Sequence, residues 1–118
     1  MKPISVHVVD IANGTVARGM RVQVVTLNDD GSEGETVLEG TVGNNGLVED
    51  LERPDRIPPG RFELRLHVGQ YYLDRGTVLP ERPFMDVQVF RFGLFDGRQH
   101  YHLPVKLSPW GMSLFRGA

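Results

Sequence analysis

Residues 61–68, RFELRLHV, alternate apolar and polar without a break. A repeat of two places Phe62, Leu64, Leu66 and Val68 on one face of an extended strand, with Arg61, Glu63, Arg65 and His67 on the other. A helix, turning every 3.6 residues, could not gather those four apolar side chains on one side. The segment therefore predicts a half-buried β-strand, which needs other strands to pair with and a second layer to pack on.

The rest of the chain supplies them. ISVHVVD (4–10) turns Ile4, Val6 and Val8 inward and Ser5, His7 and Val9 outward, and MRVQVVTL (20–27), TVLEGTV (36–42), FMDVQVFRF (84–92) and QHYHLPVKL (99–107) read as further strands. Turn signals separate them: NGT at 13–15, GNNG at 43–46 and DG at 96–97, with NDDGSEGE (28–35) as a polar hairpin loop. RPDRIPPG (53–60) is irregular, because its prolines remove donors and fix φ. YYLDRG (71–76) predicts one or two helical turns ending at Gly76. Pro104 inside the last strand implies a sheet edge or a bulge. Seven or so short strands with hardly any helical periodicity predict an all-β sandwich, one domain over residues 1–118.

Composition narrows the chemistry. A net charge of −2 offers no general attraction for nucleic acid or an anionic membrane surface. With no cysteine, disulfides, thiolate nucleophiles and zinc–thiolate clusters drop out. Met1 runs straight into an alternating segment, without a signal-peptide core or an 18-residue apolar stretch, so the expectation is a cytoplasmic protein. Gly-rich phosphate loops, a nucleophile elbow and a Ser-His-Asp order are absent.

What remains is histidine. His100 and His102 share the face of their strand opposite to Tyr101, Leu103, Val105 and Leu107, and His7 lies opposite to its own strand's apolar stripe. Imidazoles on a sheet face can act as general acid and base near neutral pH. Equally, each can be a solvent-facing polar residue. A His-x-His pair with a distant third histidine could also hold a catalytic metal, but no carboxylate partner accompanies it, so no metal or cofactor is expected. His67 has no companion and reads as surface. The chain closes on WGMSLFRGA, a tail too apolar for a frayed terminus, which predicts that it is packed against something.

Taken together, the N-terminal HVVD, the late HYHLPVKLSPWG and the closing FRGA resemble the transthyretin-like family, whose bacterial members are 5-hydroxyisourate hydrolases of purine degradation. In that family the last strand reads His-Tyr-His-Val-Pro-Leu-Leu-Leu-Ser-Pro-Tyr-Gly and the chain ends Tyr-Arg-Gly-Ser. GRFELRLHVGQYY is similar to the family's segment before its short helix. The resemblance implies a transthyretin-like (prealbumin-like) sandwich of seven to eight strands with one short helix. It also implies a homotetramer, a dimer of dimers, whose active sites line a central channel. Transferred onto this chain, it makes His7 and His102 the catalytic histidines, with His100 beside them in a substrate-binding position. Arg116 is the candidate donor to an oxyanion, and Gly117 belongs to the terminal tetrapeptide.

Three positions depart from the pattern. Leu47 stands where the family has a substrate-binding arginine, Phe115 replaces the tetrapeptide's tyrosine, and Ala118 replaces its serine. Each removes a polar group from a site that binds a ring rich in carbonyls and N–H groups, and an arginine's bidentate fork has no counterpart in leucine. Arg53, Arg56 or Arg61 could supply a guanidinium from another backbone position. The expected function is hydrolysis of a cyclic amide, of the 5-hydroxyisourate type or diverged toward a less polar ring. The alternative is a non-catalytic tetramer that binds a small ligand, as the carrier transthyretin does on this fold.

Overall fold

The computed structural model describes residues 4–50, 58–96 and 98–117. Most of the irregular 53–60 stretch, including Arg53 and Arg56, lies outside the described residues, as do Gly97 of the predicted turn and Ala118. Among the described residues, nine strand segments and one helix follow one another: β1 (Ile4–Asp10), β2 (Thr15–Val16), β3 (Arg21–Leu27), β4 (Glu33–Val42), β5 (Val48–Asp50), β6 (Gly60–His67), α1 (Val68–Asp74), β7 (Val87–Leu94), β8 (Tyr101–Ser108) and β9 (Gly111–Leu114). They form two sheets, one in the order β2-β1-β8-β9 and one in the order β5-β4-β3-β6-β7. The architecture is all-β, as the alternation requires.

The core lies between the sheets. Ile4, Val6 and Val8 of β1 and Tyr101, Leu103, Val105 and Leu107 of β8 meet Val22, Val24, Leu38, Phe62, Leu64 and Leu66 of the larger sheet, all buried. β1 and β8 are parallel, in register from Ile4 opposite Tyr101 to Asp10 opposite Leu107. Parallel strands need a long crossover, and here nearly the whole larger sheet is that connection. This pairing brings the two ends of the chain together.

Four local expectations are refined. β4 begins at Glu33 rather than 36, because hairpin pairing with β3 recruits polar residues whose backbone groups bond regardless of side chain. Val68 opens α1 instead of closing β6, although it remains buried. The helix ends in a Schellman turn, with Gly76 at φ +80° and its N–H donating to the Leu73 carbonyl, while the Thr77 N–H donates to that of Tyr72. Glu63 occupies the outward face as predicted but is buried there, clamped by Arg65 Nε at 2.7 Å and Arg91 Nε at 3.1 Å. Those hydrogen bonds, Arg65's first, hold its carboxyl below the usual range despite burial.

Pro104 is neither at an edge nor in a bulge: β8 is an inner strand between β1 and β9. Its backbone faces the β9 side, as that of His102 does, whose carbonyl accepts the Gly117 N–H at 2.7 Å. Regular β9 pairing stops at Leu114, opposite Val105, and resumes as an isolated bridge between His102 and Gly117. The ladder is interrupted where proline has no N–H to give.

Candidate active site

The outward face of the smaller sheet collects the histidines. In the β1–β8 register Ser5 pairs with His102 and His7 with Pro104, and residues two apart on a strand share a face. Ser5, His7, His100 and His102 therefore stand together, each partly exposed. Ser5 Oγ lies 2.9 Å from His100 Nε2 and 2.7 Å from His102 Nδ1. The two rings lie nearly parallel, 15° apart, with centroids separated by 6.4 Å. Burial, followed by the neighbouring His100 and His7, holds the His102 pKa below the ordinary imidazole value.

His7 is fixed from the β4–β5 turn. The Asn45 carbonyl lies 3.1 Å from its Nε2, and a carbonyl only accepts, so that nitrogen carries the proton and Nδ1 is the acceptor of the neutral ring. Gly46, at φ +84°, passes beneath the imidazole, and a Cβ there would sit 2.8 Å from His7 Cδ2 and from Val16 Cγ1. Only glycine brings this turn so close. Leu47 bridges to His7 across the sheet edge, so its side chain shares the outward face beside that imidazole. Leu47 therefore presents a partly buried isobutyl group to this face.

The terminal segment runs along the other side of β8. Phe115 lies across from Pro104 on the histidine face and is 52% exposed, and a Cβ at Gly117 would stand 3.1 Å from His102 Cδ2. Arg116, between them, alternates to the opposite face. Its guanidinium stacks on the Tyr101 ring at 3.8 Å from the centroid, and its Nη2 donates to Gln99 Oε1 at 3.0 Å. The structure thus gathers His7, His100, His102, Leu47, Phe115 and Gly117 on one face and turns Arg116 away from it. Arg61 stands on β6 in the other sheet.

Sequence reasoning placed Ser5 on the outward face but saw no role for it, and missed Asn45. The signal for Ser5 was its spacing of two from His7. His67, expected at the surface, is half-buried on the larger sheet, and its Nε2–H donates to Gln23 Oε1 at 2.9 Å. Among the described residues, no group of three or more histidines and carboxylates is arranged to hold a metal ion.

The fold and this face define a class: a transthyretin-like β-sandwich with a histidine–serine cluster on the outside of its smaller sheet. The chain belongs to the HIUase/Transthyretin family, whose model matches residues 4–117. It is 35% identical over 118 residues to 5-hydroxyisourate hydrolase 2 of Rhizobium meliloti, covering 98% of this chain and 95% of that protein. It is 34% identical over 116 residues to the 5-hydroxyisourate hydrolase of Halalkalibacterium halodurans, covering 98% and 97%. Among solved structures, the 5-hydroxyisourate hydrolase of Klebsiella pneumoniae superposes with a TM-score of 0.79 at 27% identity, over the full length of both chains.

Proposed function

We propose that this protein is a hydrolase of the 5-hydroxyisourate type, opening a cyclic amide ring with two imidazoles and no cofactor. The observation that carries the reading is the convergence of His7, His100, His102 and Ser5 on one sheet face. It occurs in a chain matched from end to end by 5-hydroxyisourate hydrolases. His102, held neutral near pH 7 by its lowered pKa, accepts a proton from water at Nε2 as the oxygen attacks the ring carbonyl. The C–N bond then breaks, and His7 Nδ1, in its protonated form, delivers the proton to the leaving nitrogen. Arg116, as oxyanion donor, would have to leave its stack on Tyr101.

The departures set the efficiency. Leu47 beside His7 and Phe115 beside Pro104 offer apolar surface where a ring of amides needs donors. The wild type is expected to turn 5-hydroxyisourate over with kcat/KM below about 10⁴ M⁻¹s⁻¹. Leu47→Arg combined with Phe115→Tyr and Ala118→Ser should raise it on the order of 10²-fold, equivalent to two recovered hydrogen bonds. Steady-state kinetics on both proteins checks this. A wild type already above that value would mean that Leu47 does not limit the reaction. An inert pair, with an apolar ligand raising the melting temperature, would favour the small-ligand carrier.

The assembly is a homotetramer with the histidine faces lining a shared channel. Supporting it, Trp110, Phe115 and Phe84 are 61%, 52% and 69% exposed in the single chain, more apolar surface than an isolated sandwich tolerates comfortably. Light scattering at micromolar concentration should give about four times the 13.2 kDa chain mass. A soluble monomer would rule the channel out. Among the described residues no helix is long and apolar enough to cross a membrane.

A further inference from the structure

We propose that Ser5 is a positioning residue for His102: its hydroxyl decides which ring nitrogen of His102 carries the proton, and ties that choice to the protonation of His100. The inference rests on the hydrolase reading only for its consequence in turnover. Its basis is that one oxygen sits within hydrogen-bonding distance of two imidazole nitrogens, His100 Nε2 and His102 Nδ1.

A hydroxyl has one proton to give. If Ser5 donates to one ring, the other ring must donate to Ser5, so the two tautomers are not independent. With His100 Nε2 unprotonated, Ser5 donates to it and His102 donates from Nδ1 to Oγ. His102 Nε2 is then a base. With a proton on His100 Nε2 the chain runs in reverse: His100 donates to Oγ, Ser5 donates to His102 Nδ1, and His102 keeps its proton on Nε2. Only the first arrangement can take a proton from water at Nε2.

The same chain disposes of that proton. As Nε2 gains one, Nδ1 passes its own to Oγ, and Oγ passes its original proton to His100 Nε2. His102 is left neutral and the positive charge rests on His100, the trio having gained only the one proton that water gave up. Among the described residues, other charged or titratable groups on or beside this surface include His7 on β1, Lys106 further along β8 and Arg116, whose guanidinium is turned to Tyr101. Placement follows from the fold, because Ser5 is His102's register partner across the parallel pair.

The test uses the full chain labelled with ¹⁵N at histidine, without substrate, followed by NMR across the titration of His100. In the wild type the His102 tautomer should switch from Nδ1–H to Nε2–H in step with that titration. In Ser5→Ala the two rings should titrate independently and kcat should fall about tenfold at unchanged KM, the size of one lost hydrogen bond. Ser5→Thr, which keeps the hydroxyl, should restore both. A His102 tautomer that ignores His100 in the wild type overturns the proposal, even should the alanine variant fail to fold. So does an alanine variant with wild-type kcat and wild-type ring spectra. Coupled titration in a protein inert toward 5-hydroxyisourate supports the Ser5 link and overturns the hydrolase reading instead.

Discussion

His102→Asn should lower kcat for 5-hydroxyisourate by roughly 10²–10⁴-fold, the range lost with a general base, while leaving the fold intact. Asparagine retains a side-chain group able to bond Ser5 Oγ but has no nitrogen that accepts a proton near neutral pH. The fold should survive because His102 points outward and the inward stripe of β8 is untouched. Circular dichroism and the oligomeric mass should match the wild type. The pH profile gives a second check. His102's pKa is lowered from 6.5, by burial first and then by His100 and His7, so the acidic limb of kcat/KM should lie below pH 6.5 and vanish in the variant. Stability carries the same signature. The unfolded chain protonates this imidazole at a higher pH than the folded one, so its contribution is intact above about pH 6.5. That contribution shrinks as pH falls toward the folded pKa, and the asparagine variant should lack this slope. A variant that loses its fold would make His102 structural, and one with full activity would remove it from the mechanism.

The largest stability effect is expected at Asp10. Its carboxylate is fully buried at the end of β1, yet every partner is in place. The Tyr72 hydroxyl donates to it at 2.7 Å, that of Tyr71 at 2.9 Å and the Asn13 side-chain amide at 2.7 Å, joined by the backbone N–H groups of Ala12 and Asn13. Burial alone would raise the pKa, but the hydrogen bonds from Asn13, Tyr72 and Tyr71 outweigh it and hold the carboxyl below its ordinary value. The same contact, after burial, pushes the Tyr71 phenol up to about 12. The network pins α1, which carries both tyrosines, to the smaller sheet. Asp10→Ala should destabilise by roughly 3–5 kcal/mol, because it leaves the buried Tyr71 hydroxyl without this acceptor and that of Tyr72 with only the Leu107 carbonyl at 3.3 Å. For a domain of this size that is a fall in Tm on the order of 15–30 °C. Tyr72→Phe should cost less in the alanine background than in the wild type, since its partner has already gone. The pH dependence runs opposite to that of a group with a raised pKa. Asp10's depressed folded value means its stabilisation is complete above about pH 3.8 and is lost as pH falls through that lower value. Urea titrations at pH 7 and near pH 3 check both statements, and an unchanged midpoint in Asp10→Ala would sink the structural role.

Much of the fold was legible because alternation reports burial directly. RFELRLHV, ISVHVVD and QHYHLPVKL each place their inward residues as the period of two demands, and Gly76 marks the helix end because only glycine sits easily at positive φ. Misreadings came where backbone pairing outranks side-chain character. Glu33 to Glu35 join a strand although their side chains read as loop, and Pro104 sits in an inner strand because its partner breaks off instead. Glu63 looked solvated, yet two arginine stems cover it.

The site divides along the same line. That His7, His100 and His102 leave the core stripes is a property of local spacing, and the sequence alone determined it. Local spacing also marked most of the longer strands and the end of the helix, and the motif HYHLPVKLSPWG carried the resemblance. Only the tertiary structure decided which of those faces coincide. Ser5 meets His100 and His102 across 95 and 97 residues because β1 pairs with β8 in one register, and a slip of one would turn Ser5 into the core. The same holds for the Asn45 carbonyl on His7, for Leu47 beside it and for Arg116 turned onto Tyr101. Each is set by long-range pairing, whose energy comes from burying the two sheets against each other, and no window of neighbouring residues records that energy.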